Sequence, residues 1–427
     1  MASAAGWVLG CGGVLMATLL AVARIDARGE SSIFLALMLL GSLAYLCALI
    51  IVARGIESRR LLLVALFAAV VWRVAIIPAT PLLSDDVYRY VWDGRVQHFG
   101  YNPYRSAPDD PALDHLHIEV TRQIDPTNAA LPTIYPPVAE LLFRGVTAVH
   151  ESETAIVIAV VAFDLLTILI LWRWLVTTGR SPWWVITYAW HPLVAIEGAG
   201  GGHIDVVGTC LVVVTGFALS RGRGLIATLA LAAACAIKFL PVVLAPLLWR
   251  RVSLRDAILG VGLVGLVYLP FFDGSLVVPV GSLGAYAESW RFNGPIFALL
   301  EPRFGVVPVL ALAAGAGFTV ACIARRKMSV DDPAAWAWPM AASLLVMPAV
   351  YPWYLVWLTP FLTTRATGAL VAWTLGSMLT YVVWSSELAG TGWVLPSWVV
   401  PVEYGLIAVV GLWTCCSSGS FARYSAS

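Results

Sequence analysis

Apolar runs long enough to cross a bilayer recur along the whole chain, and they leave few folds open to it. Crossing ~30 Å of hydrocarbon takes about 17–25 helical residues. Runs of that kind begin near Trp7, Ser32, Leu61, Ala155, Trp183, Ile204, Leu225, Ala257, Val306, Ala334, Ala366 and Pro401. Two shorter ones occupy 241–249 and 353–362, for about fourteen candidate spans in all. In lipid every backbone N–H and C=O must be satisfied within the protein, so the expected class is all-α and polytopic. A mean hydropathy of +0.85 over 427 residues excludes a water-soluble domain of this length.

Orientation follows from the cations, because short cytoplasmic loops carry the Arg and Lys excess. Arg54, Arg59 and Arg60, then Arg173 and Arg180, Arg221 and Arg223, Arg250, Arg251 and Arg255, and finally Arg325, Arg326 and Lys327 fall on one side if the spans alternate. The long loops 79–137 and 273–305 then share the opposite, extracytoplasmic side. Segment 137–149 fits only as a surface helix that does not cross. The first apolar run lacks a preceding basic stretch, which favours a retained span over a cleaved signal. The seven cysteines lie in or at the ends of apolar segments and read as small packing residues, so neither disulfide nor zinc is expected.

The chemistry is concentrated in loop 79–137. It carries eight carboxylates against four arginines and no lysine. Its first part, Ser84-Asp85-Asp86-Val87-Tyr88-Arg89-Tyr90-Val91-Trp92-Asp93, reads as a helix capped by Ser84. Asp85, Arg89 and Asp93 follow one another at four-residue spacing, which brings each pair onto one face. Carboxylates beside lipid lose hydration unless a charge, water or substrate compensates them, so Asp85 and Asp86 are the leading functional candidates. As plain structure they cap a helix and complement its dipole. Further on, Leu131-Pro132-Thr133-Ile134-Tyr135-Pro136-Pro137 is a stiff extended stretch that fixes Tyr135.

Other polar groups return to the same side. Lys238, one of two lysines, sits in Ala-Cys-Ala-Ile-Lys-Phe-Leu-Pro, where it either snorkels to the interface or meets a phosphate. Gly200-Gly201-Gly202-His203-Ile204-Asp205 offers an imidazole and a helix-capping carboxylate. Arg291 presents a planar fork for phosphate or carboxylate. Tyr351-Pro352-Trp353-Tyr354 reads as an interfacial aromatic girdle in preference to a sugar platform.

This order of elements resembles the GT-C superfamily of polyprenyl-phosphate-sugar-dependent glycosyltransferases: a carboxylate pair after an early span, a long loop ending in Tyr-Pro-Pro, a Gly-His-Ile-Asp turn, a Lys-Phe-Leu-Pro break and a late Pro-Trp-Tyr. Within that superfamily it most resembles the bacterial family 87 enzymes and the polyprenol-phosphomannose-dependent mannosyltransferases. The resemblance spans about residues 61–361. It implies a GT-C-like bundle of about 12–14 transmembrane helices, with two additional spans at 1–60, a catalytic core at 61–365 and C-terminal spans with a short tail at 366–427. It further implies an inner-membrane enzyme that moves a hexose, by analogy mannose, to an extracytoplasmic glycan or lipid acceptor. Asp85 or Asp86 would be the base, and Tyr135, His203, Lys238 and Arg291 would line the site, with Arg89 and Asp205 as further substrate-binding candidates.

No nucleotide-binding Gly-rich unit is present, in keeping with a donor already attached to lipid phosphate. The expected reaction is direct, inverting displacement without a cofactor. A divalent ion held by the paired aspartates is the less favoured variant. A lipid or solute transporter would place charges mid-span and show a repeated half, and a non-catalytic assembly protein of the cell envelope would leave the aspartates silent.

Overall fold

The computed structural model describes residues 2–272, 274 and 279–424. Part of the expected second loop, at 273 and 275–278, and the tail at 425–427 lie outside the described residues. The chain is an all-helical polytopic membrane protein, and a lone bridge between Phe292 and Ala349 is the one strand-like pairing among the described residues. Among the described residues, seven helices are long and apolar enough to cross a membrane. They include α1 (Ala2–Val22), α2 (Ser31–Ala53) and α3 (Arg59–Ile76).

Several of the about fourteen candidate spans are not continuous α-helices. The run from Trp183 is broken into the turns Pro182–Val185, Ile186–Ala189 and Pro192–Val194 and a π-turn at Ala195–Gly200. Leu240–Leu248 and Pro352–Phe361 are 3-10 segments, with Pro246 and Pro360 inside them. Proline removes a donor and clashes with the preceding turn, which disfavours regular α-helix in these stretches. Non-helical backbone survives at such depth where protein buries it, and Pro352–Phe361 is almost wholly buried.

Loop 79–137 and its sequel build a cap on one end of the bundle. Helix α4 (Asp86–His98) packs on α5 (Pro137–Thr147), with the Tyr90 and Phe143 rings stacked at 4.5 Å. At 1.5 Å per residue α5 is only about 16 Å long, too short to cross. Between them Asp93 and Glu140 are fully buried with Arg89 and Thr133. Burial raises both carboxyls, Glu140 well above its ordinary value, with Asp93 beside it adding to the effect. The opposite end gathers the cationic loops: Arg180 bonds Thr363, Arg251 bonds the Met328 carbonyl and Arg325 bonds the Trp249 carbonyl.

Inside the bundle α3 is pinned to α6 (Glu153–Thr177) by an ion pair without solvent access. Arg73 Nε donates to Asp164 Oδ2 at 2.5 Å, and a second guanidinium nitrogen donates to the Ala69 and Ala189 carbonyls. Removing one partner of such a pair strands a charge in the protein interior, whereas removing both does not. Arg73→Leu is therefore expected to destabilise the fold by about 3–5 kcal/mol. Thermal melting in detergent should show Arg73→Leu/Asp164→Leu recovering most of that loss. A single variant as stable as the parent would refute the pinning role.

Candidate active site

The site lies where the start of α4 meets the turn before α7 (Asp205–Ser220). Two hydrogen bonds hold them together: Leu82 N–H donates to the Gly200 carbonyl at 2.9 Å, and the Thr80 Oγ1 hydroxyl donates to the Ala199 carbonyl. The glycines at 200–202 make this approach possible. A Cβ on Gly200 would fall 2.4 Å from Leu82 Cδ1, and Gly202 adopts φ +68°, which L side chains rarely tolerate.

Asp86 is the first residue of α4, its N–H donated to Ser84 Oγ. Its carboxylate receives the Tyr135 hydroxyl at 3.4 Å and lies 3.7 Å from His203 Nδ1. About 25% of its side chain is exposed. Burial pushes its pKa up to about 6, Lys238 opposing the rise while Asp205 and Asp85 add to it.

His203 is fully buried and lies flat on Trp353, 4.3 Å between ring centres. Trp353 stacks on Tyr351, and Tyr351 on Phe292, each at 4.5 Å. The late aromatic motif is thus an internal column behind His203, which corrects the girdle reading. The other ring nitrogen of His203 is 3.3 Å from Glu197 Oε2. Both distances are within ion-pair reach, yet the alignment gives neither nitrogen a hydrogen bond among the described residues. Glu197 in turn receives a short hydrogen bond from the Tyr381 hydroxyl.

Asp205 is buried at the start of α7 and is bonded on both oxygens, by Lys238 Nζ at 2.6 Å and Trp357 Nε1 at 2.7 Å. The expected capping role is replaced by this pairing, since the residue before α7 is Ile204 and Asp205 is already helical. Lys238 sits past the end of α8 (Gly224–Cys235), where the helix gives way before Pro241. Its ammonium also lies 4.6 Å over the Tyr354 ring and stays 19% exposed.

The structure thus brings Asp86, Tyr135, His203, Asp205 and Lys238 together. Asp85 turns away from Asp86, its carboxylate receiving Arg28 at 2.6 Å from the turn between α1 and α2. Arg89 does not reach the cluster either. It pairs with Asp93 and donates to the carbonyls of Asn128 and Leu131, clamping the proline-rich stretch that carries Tyr135. Arg291 is also elsewhere, both prongs on Glu301 and its face over Phe297.

Sequence reasoning missed Glu197, Tyr381 and Arg28. Glu197 carried a usable signal, a lone carboxylate inside Ala-Ile-Glu-Gly-Ala, on the same rule that singled out Asp85 and Asp86. Tyr381 and Arg28 carried none, because their proximity comes from tertiary packing alone.

An all-helical membrane protein with an acid, an imidazole and a paired ammonium gathered at one end of its bundle is the class that fold and site define. Residues 1–252 match the family described as Alpha-(1->6)-mannopyranosyltransferase, N-terminal domain, and the chain belongs to that family. All five clustered residues, with Glu197, fall inside the matched stretch. The chain is also similar to Alpha-(1->6)-mannopyranosyltransferase A of Mycobacterium tuberculosis, 24% identical over 340 residues that make up 67% of this chain and 62% of the relative. This chain therefore spans less than two thirds of that relative's length. No solved structure matches.

Proposed function

We propose that this chain is a membrane mannosyltransferase that takes mannose from a polyprenyl-phosphate donor and passes it to a glycan or lipid hydroxyl with inversion. The observation that carries the reading is the convergence of Asp86, raised toward neutral pH, on a lysine that is held in place and still partly exposed. A base works best when its pKa lies near the working pH. Asp86 takes the acceptor's hydroxyl proton as the acceptor oxygen bonds the anomeric carbon. The bond from that carbon to the phosphate oxygen breaks, and its electron pair leaves with the polyprenyl phosphate. Lys238 faces the charge that gathers there. His203, 3.7 Å from Asp86, is held neutral by burial and by the nearby Lys238 charge, so it borders Asp86 without taking the proton.

Purified protein given labelled polyprenyl-phosphate mannose and a mannoside acceptor should transfer the label, and the product should carry the anomer opposite to the donor's. Absence of transfer with donors of several chain lengths, or retention of configuration, would overturn the reading. The site is proposed to face the extracytoplasmic side, because the cationic loops lie at the other end. An impermeant thiol reagent should then label Asp109→Cys, at an exposed position of the long loop, in intact cells. Labelling only after lysis would reverse the orientation.

A further inference from the structure

At the end opposite the site, a cavity of about 740 Å³ opens between Leu240–Leu248 and α10 (Val306–Lys327), the helix that follows α9 (Leu254–Tyr268) and loop 273–305. Its lining includes Pro246, Trp249, Arg250, Phe318, Arg325 and Arg326 and, among the described residues, no carboxylate. Arg325 is tied to the Trp249 carbonyl and fixes the rim. Arg250 and Arg326 are exposed and form no ion pair or hydrogen bond among the described residues. Arg250 is moreover held at φ +57°, a left-handed backbone that a non-glycine residue adopts only where its surroundings impose it.

We infer that this cavity binds an anionic phospholipid, the guanidiniums taking the headgroup phosphate and the apolar wall at Pro246 and Phe318 taking the first methylenes of the acyl chains. Unpaired cations over an apolar floor at a membrane boundary suit a lipid phosphate. A free phosphate would leave the apolar wall uncovered. The cavity is separate from Lys238, because the nine-residue 3-10 segment between them spans ~18 Å at about 2 Å per residue.

The full chain, purified and stripped of lipid, can be titrated with phosphatidylglycerol or phosphatidylcholine and read by native mass spectrometry. With the two unpaired surface cations each contributing about fivefold, phosphatidylglycerol should bind roughly 30-fold more tightly, and Arg250→Gln/Arg326→Gln should remove that preference. Cys322 also lines the cavity, so in the unmutated chain phosphatidylglycerol, and not phosphatidylcholine, should slow its alkylation by N-ethylmaleimide. Equal binding of the two lipids, an unchanged preference in the double variant, or unprotected Cys322 would each overturn the proposal. So would displacement of the lipid by millimolar inorganic phosphate, which would make this a site for the bare anion.

Discussion

Asp86→Asn should lower turnover by about 10²–10⁴-fold, the usual contribution of a positioned general base, while the protein folds as before. The amide keeps the shape of the side chain and an oxygen for the Tyr135 hydroxyl, and Ser84 Oγ engages only the backbone N–H of Asp86. The neighbouring Asp85→Asn is the control. Its partner Arg28 is part-exposed at the surface, so the loss is about 1 kcal/mol or less of stability and a small change in rate. The two variants should also differ in pH dependence. Asp86 acts as a base only when ionised, so kcat/KM should be full above about pH 6 and fall as pH drops through that value. Asp85→Asn should retain this limb and Asp86→Asn should lose it. Comparable activity in Asp86→Asn and the parent would remove the base assignment.

Lys238→Ala should do two separable things. It leaves Asp205 buried with Trp357 as its remaining partner, and stranding a buried carboxylate costs about 3–5 kcal/mol. It also removes the cation facing the leaving phosphate, which should cost about 10²-fold in kcat/KM with the donor. Lys238→Ala/Asp205→Asn distinguishes the two effects. The double variant should recover most of the melting temperature and none of the activity. If activity returned with stability, Lys238 would be a structural residue only.

The polytopic class was legible in the apolar runs, and the polar cluster partly so, because ionisable groups beside lipid are rare enough for each to stand out. The helical spacing of Arg89 and Asp93 also reads directly as a pair. What spacing alone left open is which of two acceptable partners a charge takes. Asp85 is the cap residue of α4, outside the helical face that would have carried it to Arg89, and Arg28 reaches it from a loop 57 residues earlier. Arg291 offered the right fork for phosphate, but Glu301 ten residues on satisfies it locally. Apolar length also overstated the spans, since Pro192, Pro246 and Pro360 interrupt stretches that hydropathy alone reads as continuous. The turn from Ala195 to Asp205 is the most informative miss. Its glycines permit close approach, whereas Glu197 behind His203 becomes apparent only once the backbone is folded.

The most direct test is a structure of the protein with polyprenyl phosphate bound. The account predicts a phosphate oxygen at about 2.7–3.0 Å from Lys238 Nζ, the range of a charge-assisted hydrogen bond, with space for an acceptor hydroxyl beside Asp86. A phosphate seated on Arg291, or only in the cavity of Arg250 and Arg326 with the Lys238–Asp205 pair undisturbed, would contradict it.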